Sequence, residues 1–258
     1  MKFLDRFRRT PKIERIAVYS SYFGKHEPLN VSAMGVGDNY NKFLFTTDPT
    51  IEYPGAIVKV ISDEGLEPHN LSRKVKLNPH LYLSGYDWVI YIDNRASLKI
   101  HPAEIVKSIR SWEKDKNWAG RYLFRHAKRD CAYDEAFACV QTGVISAEKY
   151  REIVAFFESE MFPRNYGLFV NTMLVQRMGD AATDRFNEQW FGYLDTLCYR
   201  DQVSLSYAIW DTGYRPHILP FKQQDFIEWP IFSRSERERF RASQNSVVIP
   251  DGNSETTT

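Results

Sequence analysis

Short continuous apolar runs alternate along this chain with stretches in which apolar residues recur every three or four positions. Continuous runs of four to eight residues predict strands buried on both faces, and the second pattern predicts helices with one apolar stripe. Residues 13–22, 42–47 and 56–61 read as the first three strands, and 71–83 as a helix interrupted near Pro79. The cleanest run, Trp88 to Ile92, follows a Ser-Gly turn and ends abruptly on Asp93. Pro102 sits where a helix begins, and Ile105, Val106 and Ile109 carry its stripe to Trp112. Beyond it, 118–124 predicts a strand and 148–157 an amphipathic helix. Residues 167–176 are apolar around Asn171, 181–197 and 201–210 read as helices, and 214–219 as a last strand. Strands alternating with helices predict an α/β domain.

In open α/β sheets ligands sit beyond the carboxyl ends of the strands, so the residues just past each run are the candidates for chemistry. Asp93 ends the central run. Tyr22-Phe23-Gly24 follows the first strand, and Asp48 ends the second, where it can meet a nucleobase or ribose or simply make a turn with its own backbone. Arg73 and Lys76 lie three apart, on one helical face, and can offer two cations to a phosphate or form a solvated basic face. Asn171 is polar inside an apolar run, so it caps a bulge or faces a ligand. Residues 125–135 hold the densest set of ionisable groups. His126 and Arg129 are cations for an anion there, and Glu135 is an acid/base candidate. A basic loop leading into an acidic helix start gives the same pattern. Asp201 reads from spacing as a helix cap.

Composition narrows the classes. The 258 residues carry a net charge of +1, which argues against a nucleic-acid partner. No run approaches the roughly 18 apolar residues of a membrane span, residues 1–12 lack the apolar core of a signal peptide, and the three cysteines lack metal-type spacing. A cytoplasmic protein is expected. Residues 1–12 form a basic arm, either a solvated terminus or a peripheral contact with the inner face of a membrane. Residues 13–242 form the single domain, and 243–258 a polar, disordered tail.

Several blocks, in order, carry a resemblance: Tyr22-Phe23-Gly24, Phe45-Thr46-Thr47-Asp48, Ser72-Arg73-Lys74-Val75-Lys76-Leu77-Asn78-Pro79-His80, Tyr86 to Asp93, His126 to Ala136, and Arg200-Asp201-Gln202-Val203-Ser204. Together they resemble a glycosyltransferase-like family of plant proteins linked to mucilage and turgor regulation. The resemblance implies a GT-A-like, Rossmann-like domain with a mixed central sheet flanked by helices. It implies transfer of a sugar from a nucleotide diphosphate sugar to a glycan, lipid-linked or other hydroxyl acceptor. Asp48 would lie near the base or ribose, Arg73 and Lys76 near the donor, and Asp93 at the diphosphate or sugar, with Tyr22 and Arg95 as further donor-binding candidates. His126, Arg129 and Glu135 would form a diphosphate or acceptor wall, with Asn171 facing the ligand and Asp201 and Gln202 facing the transferred sugar. Asp93, Glu135 and Asp201 are then the catalytic candidates. The GT-A Asp-x-Asp motif, which holds Mn2+ or Mg2+, is matched only at Asp93, because Arg95 stands where its second Asp belongs. Two other classes remain: a hydrolase of a lipid amide, since one plant relative is linked to ceramide cleavage, and a non-catalytic nucleotide-sugar-binding module.

Overall fold

The computed structural model describes residues 14–113 and 119–246. The basic arm 1–12 and positions 247–258 lie outside the described residues. Three parallel strands, β1 (Ile16–Ser21), β2 (Asn41–Thr46) and β3 (Ile57–Val60), precede helix α1 (Pro68–Leu77). Then come β4 (Trp88–Ile92), the two-residue β5 (Ser97–Leu98), α2 (Pro102–Glu113), β6 (Arg121–Arg125), α3 (Ala132–Gln141) and α4 (Ala147–Ser159). The chain continues through β7 (Phe169–Arg177), α5 (Ala181–Thr196), α6 (Asp201–Thr212), β8 (His217–Leu219), β9 (Ile227–Glu228) and α7 (Arg234–Ser246).

The central sheet has seven strands in the order β3-β2-β1-β4-β7-β6-β8. All pair in parallel except β7, which runs antiparallel to both β4 and β6. The mixed α/β architecture with flanking helices is therefore the expected one. Alternate side chains of each central strand enter different cores, which is why the runs are continuously apolar. Val18, Trp88, Ile90 and Ile92 pack with Ile105 and Ile109 of α2 on one face. Tyr19, Val89 and Tyr91 pack with Leu71 and Val75 of α1, Trp190 of α5 and Leu205 of α6 on the other. A third cluster joins α3, α4 and α6 beside the sheet.

Three local expectations change. The helix expected over 71–83 starts at Pro68 and stops at Leu77, because Pro79 cannot continue it; Pro79–Leu81 forms a separate 3-10 turn. Asp201 does not cap α6. It is the helix's first residue, Arg200 is the N-cap without a side-chain capping bond, and the Asp201 carboxylate is drawn instead to Lys76. Residues 243–246, expected to open the disordered tail, continue α7, and the rest of that expected tail lies outside the described residues. Among the described residues, no helix is long and apolar enough to cross a membrane.

Candidate functional site

The strand order turns between β1 and β4, whose connections leave in opposite directions, and this opens a crevice beyond their carboxyl ends. A cleft of roughly 300 Å³ occupies it, the lower end of the range typical of ligand sites. Its walls come from the loop after β1, one face of α1, the residues after β4, the first half of β7 and the start of α6. Of the residues singled out in the sequence, Tyr22, Arg73, Lys76, Asp93, Arg95, Asn171, Asp201 and Gln202 all line it.

Lys76 is the electrostatic centre. Its Nζ lies 2.7 Å from Asp201 Oδ2, 3.3 Å from Asp93 Oδ1 and 5.0 Å from the centroid of the Tyr91 ring. Burial alone would raise the Asp201 pKa, but Lys76, Arg73 and Arg200 outweigh it and hold that carboxyl at about 2. Asp201 is thus a fixed anion, not a proton acceptor near neutral pH. Burial, with Asp93 adding to it, pushes the Tyr91 phenol well above its usual range.

Asn171 sits where β7 bulges. The β6–β7 register jumps from Tyr122 opposite Val175 to Phe124 opposite Val170, leaving extra residues on β7. The Asn171 side chain is 3% exposed, and neither its Oδ1 nor its Nδ2 has a hydrogen-bond partner. The buried Nε atoms of Arg73 and Arg200, both in cleft residues, are also unpartnered. Native proteins rarely leave such groups unsatisfied unless a ligand or water completes them. Gln202 is partly engaged, donating to the Phe169 carbonyl at 3.3 Å and accepting from Arg200 at 3.3 Å.

Asp48 lies in an adjoining hollow with Tyr22, Gly24 and Lys25. Its Oδ1 accepts from the Thr50 amide at 2.8 Å and hydroxyl at 2.6 Å, and its Oδ2 pairs with Lys25 at 2.7 Å. It therefore makes its own turn, and the Lys25 and Thr50 contacts hold its carboxyl well below the usual range. The Tyr22 hydroxyl donates to the Glu27 carbonyl at 2.7 Å.

His126, Arg129 and Glu135 do not line the cleft, which corrects the expected wall. Arg129 donates to Glu135 Oε2 at 2.8 Å through Nε and pairs at 2.6 Å through its terminal nitrogen, while Arg200 stands 3.8 Å from Oε1. Glu135 is buried under this clamp, so it props Arg200 from behind and has no access to a reacting group in the cleft. His126 Nδ1 accepts from the Arg129 amide at 3.0 Å, and burial together with the Arg129 charge lowers its pKa.

The sequence reading missed Glu27, Asn94, Arg200 and Trp229. Asn94 is buried and accepts from the Asn30 amide at 2.8 Å, while its Nδ2 donates to Glu27 Oε1 at 3.0 Å and the Pro28 carbonyl at 2.8 Å. Glu27 is thereby held in the cleft wall, where burial raises its pKa against the opposing Asn94 bond. Its position after a strand end was the available signal; Trp229 had none.

The donor set does not suit a resident divalent cation. Asp93 already faces the Lys76 ammonium, and among the described residues no three His, Cys, Asp or Glu side chains gather as ligands. Arg73, Lys76, Arg95 and Arg200 share the cleft with the carboxylates Glu27, Asp93 and Asp201, and their guanidinium and ammonium groups suit phosphate oxygens.

No protein-family model matches the chain, and no curated protein matches it. Among solved structures it is similar to one described as the apo structure of the bifunctional glycosyltransferase WbbM, at 13% identity and a TM-score of 0.47. The alignment covers 92% of this chain and 45% of that one, so the chain spans less than half of that protein's length.

Proposed function

We propose that the protein is a glycosyltransferase that uses a nucleotide diphosphate sugar. The observation that carries this reading is the gathering of Asn171, Arg73 and Arg200, each with an unpartnered buried polar atom, beside Lys76 in one cleft at the turn in strand order. The resemblance of the ordered sequence blocks to a glycosyltransferase-like family motivates the same reading. On this reading Arg73, Arg200 and Lys76 take the donor diphosphate, and the nucleoside lies toward Tyr22 and the hollow beside Asp48. Asn171 and Gln202 face the sugar, and Asp93 orients one of its hydroxyls.

In the transfer, the acceptor oxygen bonds to the anomeric carbon as the bond from that carbon to the diphosphate oxygen breaks. The electron pair leaves with the diphosphate, whose new charge the fixed cations stabilise. The acceptor proton goes to a carboxylate. Asp201 is too acidic for that task and Glu135 is enclosed, whereas Glu27 lines the cleft with a raised pKa.

The test is turnover of a panel of uridine and guanosine diphosphate sugars, with and without chelator. Release of nucleoside diphosphate that survives chelation supports the reading and assigns the leaving charge to the side chains. Turnover abolished by chelator reassigns that charge to a metal. Nucleotide binding without turnover makes the chain a binding module, and no nucleotide binding at all removes the proposal.

A further inference from the structure

One end of the cleft holds an aromatic face and a guanidinium that donor binding leaves unused. Trp229 lines the cleft and is 48% exposed, a large apolar surface to leave in water. Its backbone is held on both sides. The β5–β9 ladder pairs Ser97 with Glu228 immediately before it, and the Ile231 amide donates to the Arg95 carbonyl at 2.9 Å just after it. The indole is therefore carried by the same segment that presents Asp93. The Arg95 guanidinium lies 5.9 Å from the Trp229 ring centroid. Arg237 of α7 stands close enough to Arg95 for the two charges to repel, and its Nε is buried without a partner. Glu27 faces both charges, and Glu238 faces Arg237. At the cleft wall itself, the Arg95 guanidinium beside the open indole offers a charge-assisted contact to an anionic group on a sugar ring.

We infer that Trp229 and Arg95 form an acceptor subsite for a sugar ring that carries a carboxylate or phosphate. The C–H face of the ring lies on the indole, and the anionic group lies on the Arg95 guanidinium. This deepens the transferase reading and rests on it for the word acceptor, but the sugar site itself can be tested alone.

The experiment is calorimetric titration of the full chain, saturated with uridine diphosphate, with three disaccharides: one ending in glucose, one in glucuronate and one in glucose 6-phosphate. Both anionic sugars should bind about tenfold or more tightly than the neutral one, the yield of a charge-assisted contact. Their ratio tells which anion the site takes. Arg95→Gln should remove the discrimination and leave neutral binding. Trp229→Ala should weaken all three sugars, while Trp229→Phe, which keeps an aromatic face and guards against a folding artefact, should restore most of the loss. Equal binding of charged and neutral sugars, or no sugar binding, overturns the inference. So does a Trp229→Ala variant that loses nucleotide affinity and keeps sugar affinity, because the indole then stacks on the base. Absence of nucleotide binding with anionic sugars still preferred leaves the sugar site standing and removes the transferase reading.

Discussion

Lys76 and Asp201 meet at 2.7 Å across 125 residues of sequence, and both are nearly excluded from solvent. The pair joins α1 to the start of α6 across the floor of the cleft. Its contribution depends on acid in a definite direction. The folded pKa of Asp201, about 2, lies below the roughly 3.9 of an unfolded Asp. The stabilisation is therefore complete above about pH 4 and is lost as the pH falls through about 2. It amounts to about 3 kcal/mol by linkage. Thermal melts between pH 2 and 5 should show this loss in the wild type and a flatter profile in Asp201→Asn. Identical slopes would mean that the ion pair does not govern the acid limb.

Asn171 should show opposite effects on stability and binding. An unsatisfied buried amide costs about 1–3 kcal/mol, and replacing it with an apolar group of similar shape relieves that cost. Asn171→Leu is expected to raise the melting temperature of the free protein while weakening nucleotide sugar binding. A variant that melts lower and binds normally would make Asn171 a packing residue.

Two arginines singled out together in the sequence should now separate. Arg73 lines the cleft, whereas Arg129 is committed to Glu135 outside it. Arg73→Ala should weaken nucleoside diphosphate binding about tenfold or more and affect the bare nucleoside much less. Arg129→Ala should chiefly lower stability, since it leaves Glu135 buried with only the more distant Arg200. Calorimetry and denaturant titration on both variants check this, and a reversed pattern would return the diphosphate to the Arg129 side.

Glu27 should set the acidic limb of activity. Burial raises its pKa above the ordinary range, so transfer should fall as the pH drops through a value higher than the usual carboxylate, roughly 4.3. Glu27→Gln should cut kcat by about 10²-fold or more and remove that limb. An unchanged pH profile would exclude Glu27 as the base.

The sequence by itself determined the elements whose burial is the same whatever surrounds them. The run Trp88–Ile92 is buried on both sides of the sheet, so its bounds are readable to the residue, and Asp93 follows as a strand-end group. Pro102 and the stripe of Ile105 and Ile109 likewise define α2. The direction and neighbours of β7 were not readable, because a segment buried on both faces has the same composition parallel or antiparallel, central or at an edge. Asp201 satisfied every local rule for a cap, yet a lysine 125 residues away took its carboxylate. The density of charge over 125–135 likewise misdirected the search: adjacency in sequence brought Arg129 onto Glu135 and closed the pair. The open carboxyl was Glu27, fixed by Asn94 from a different strand end. Local periodicity follows from which faces of a segment meet the core, and it is written into every few residues. Which charge neutralises which depends on a through-space distance of a few ångströms, and only the folded chain sets that distance.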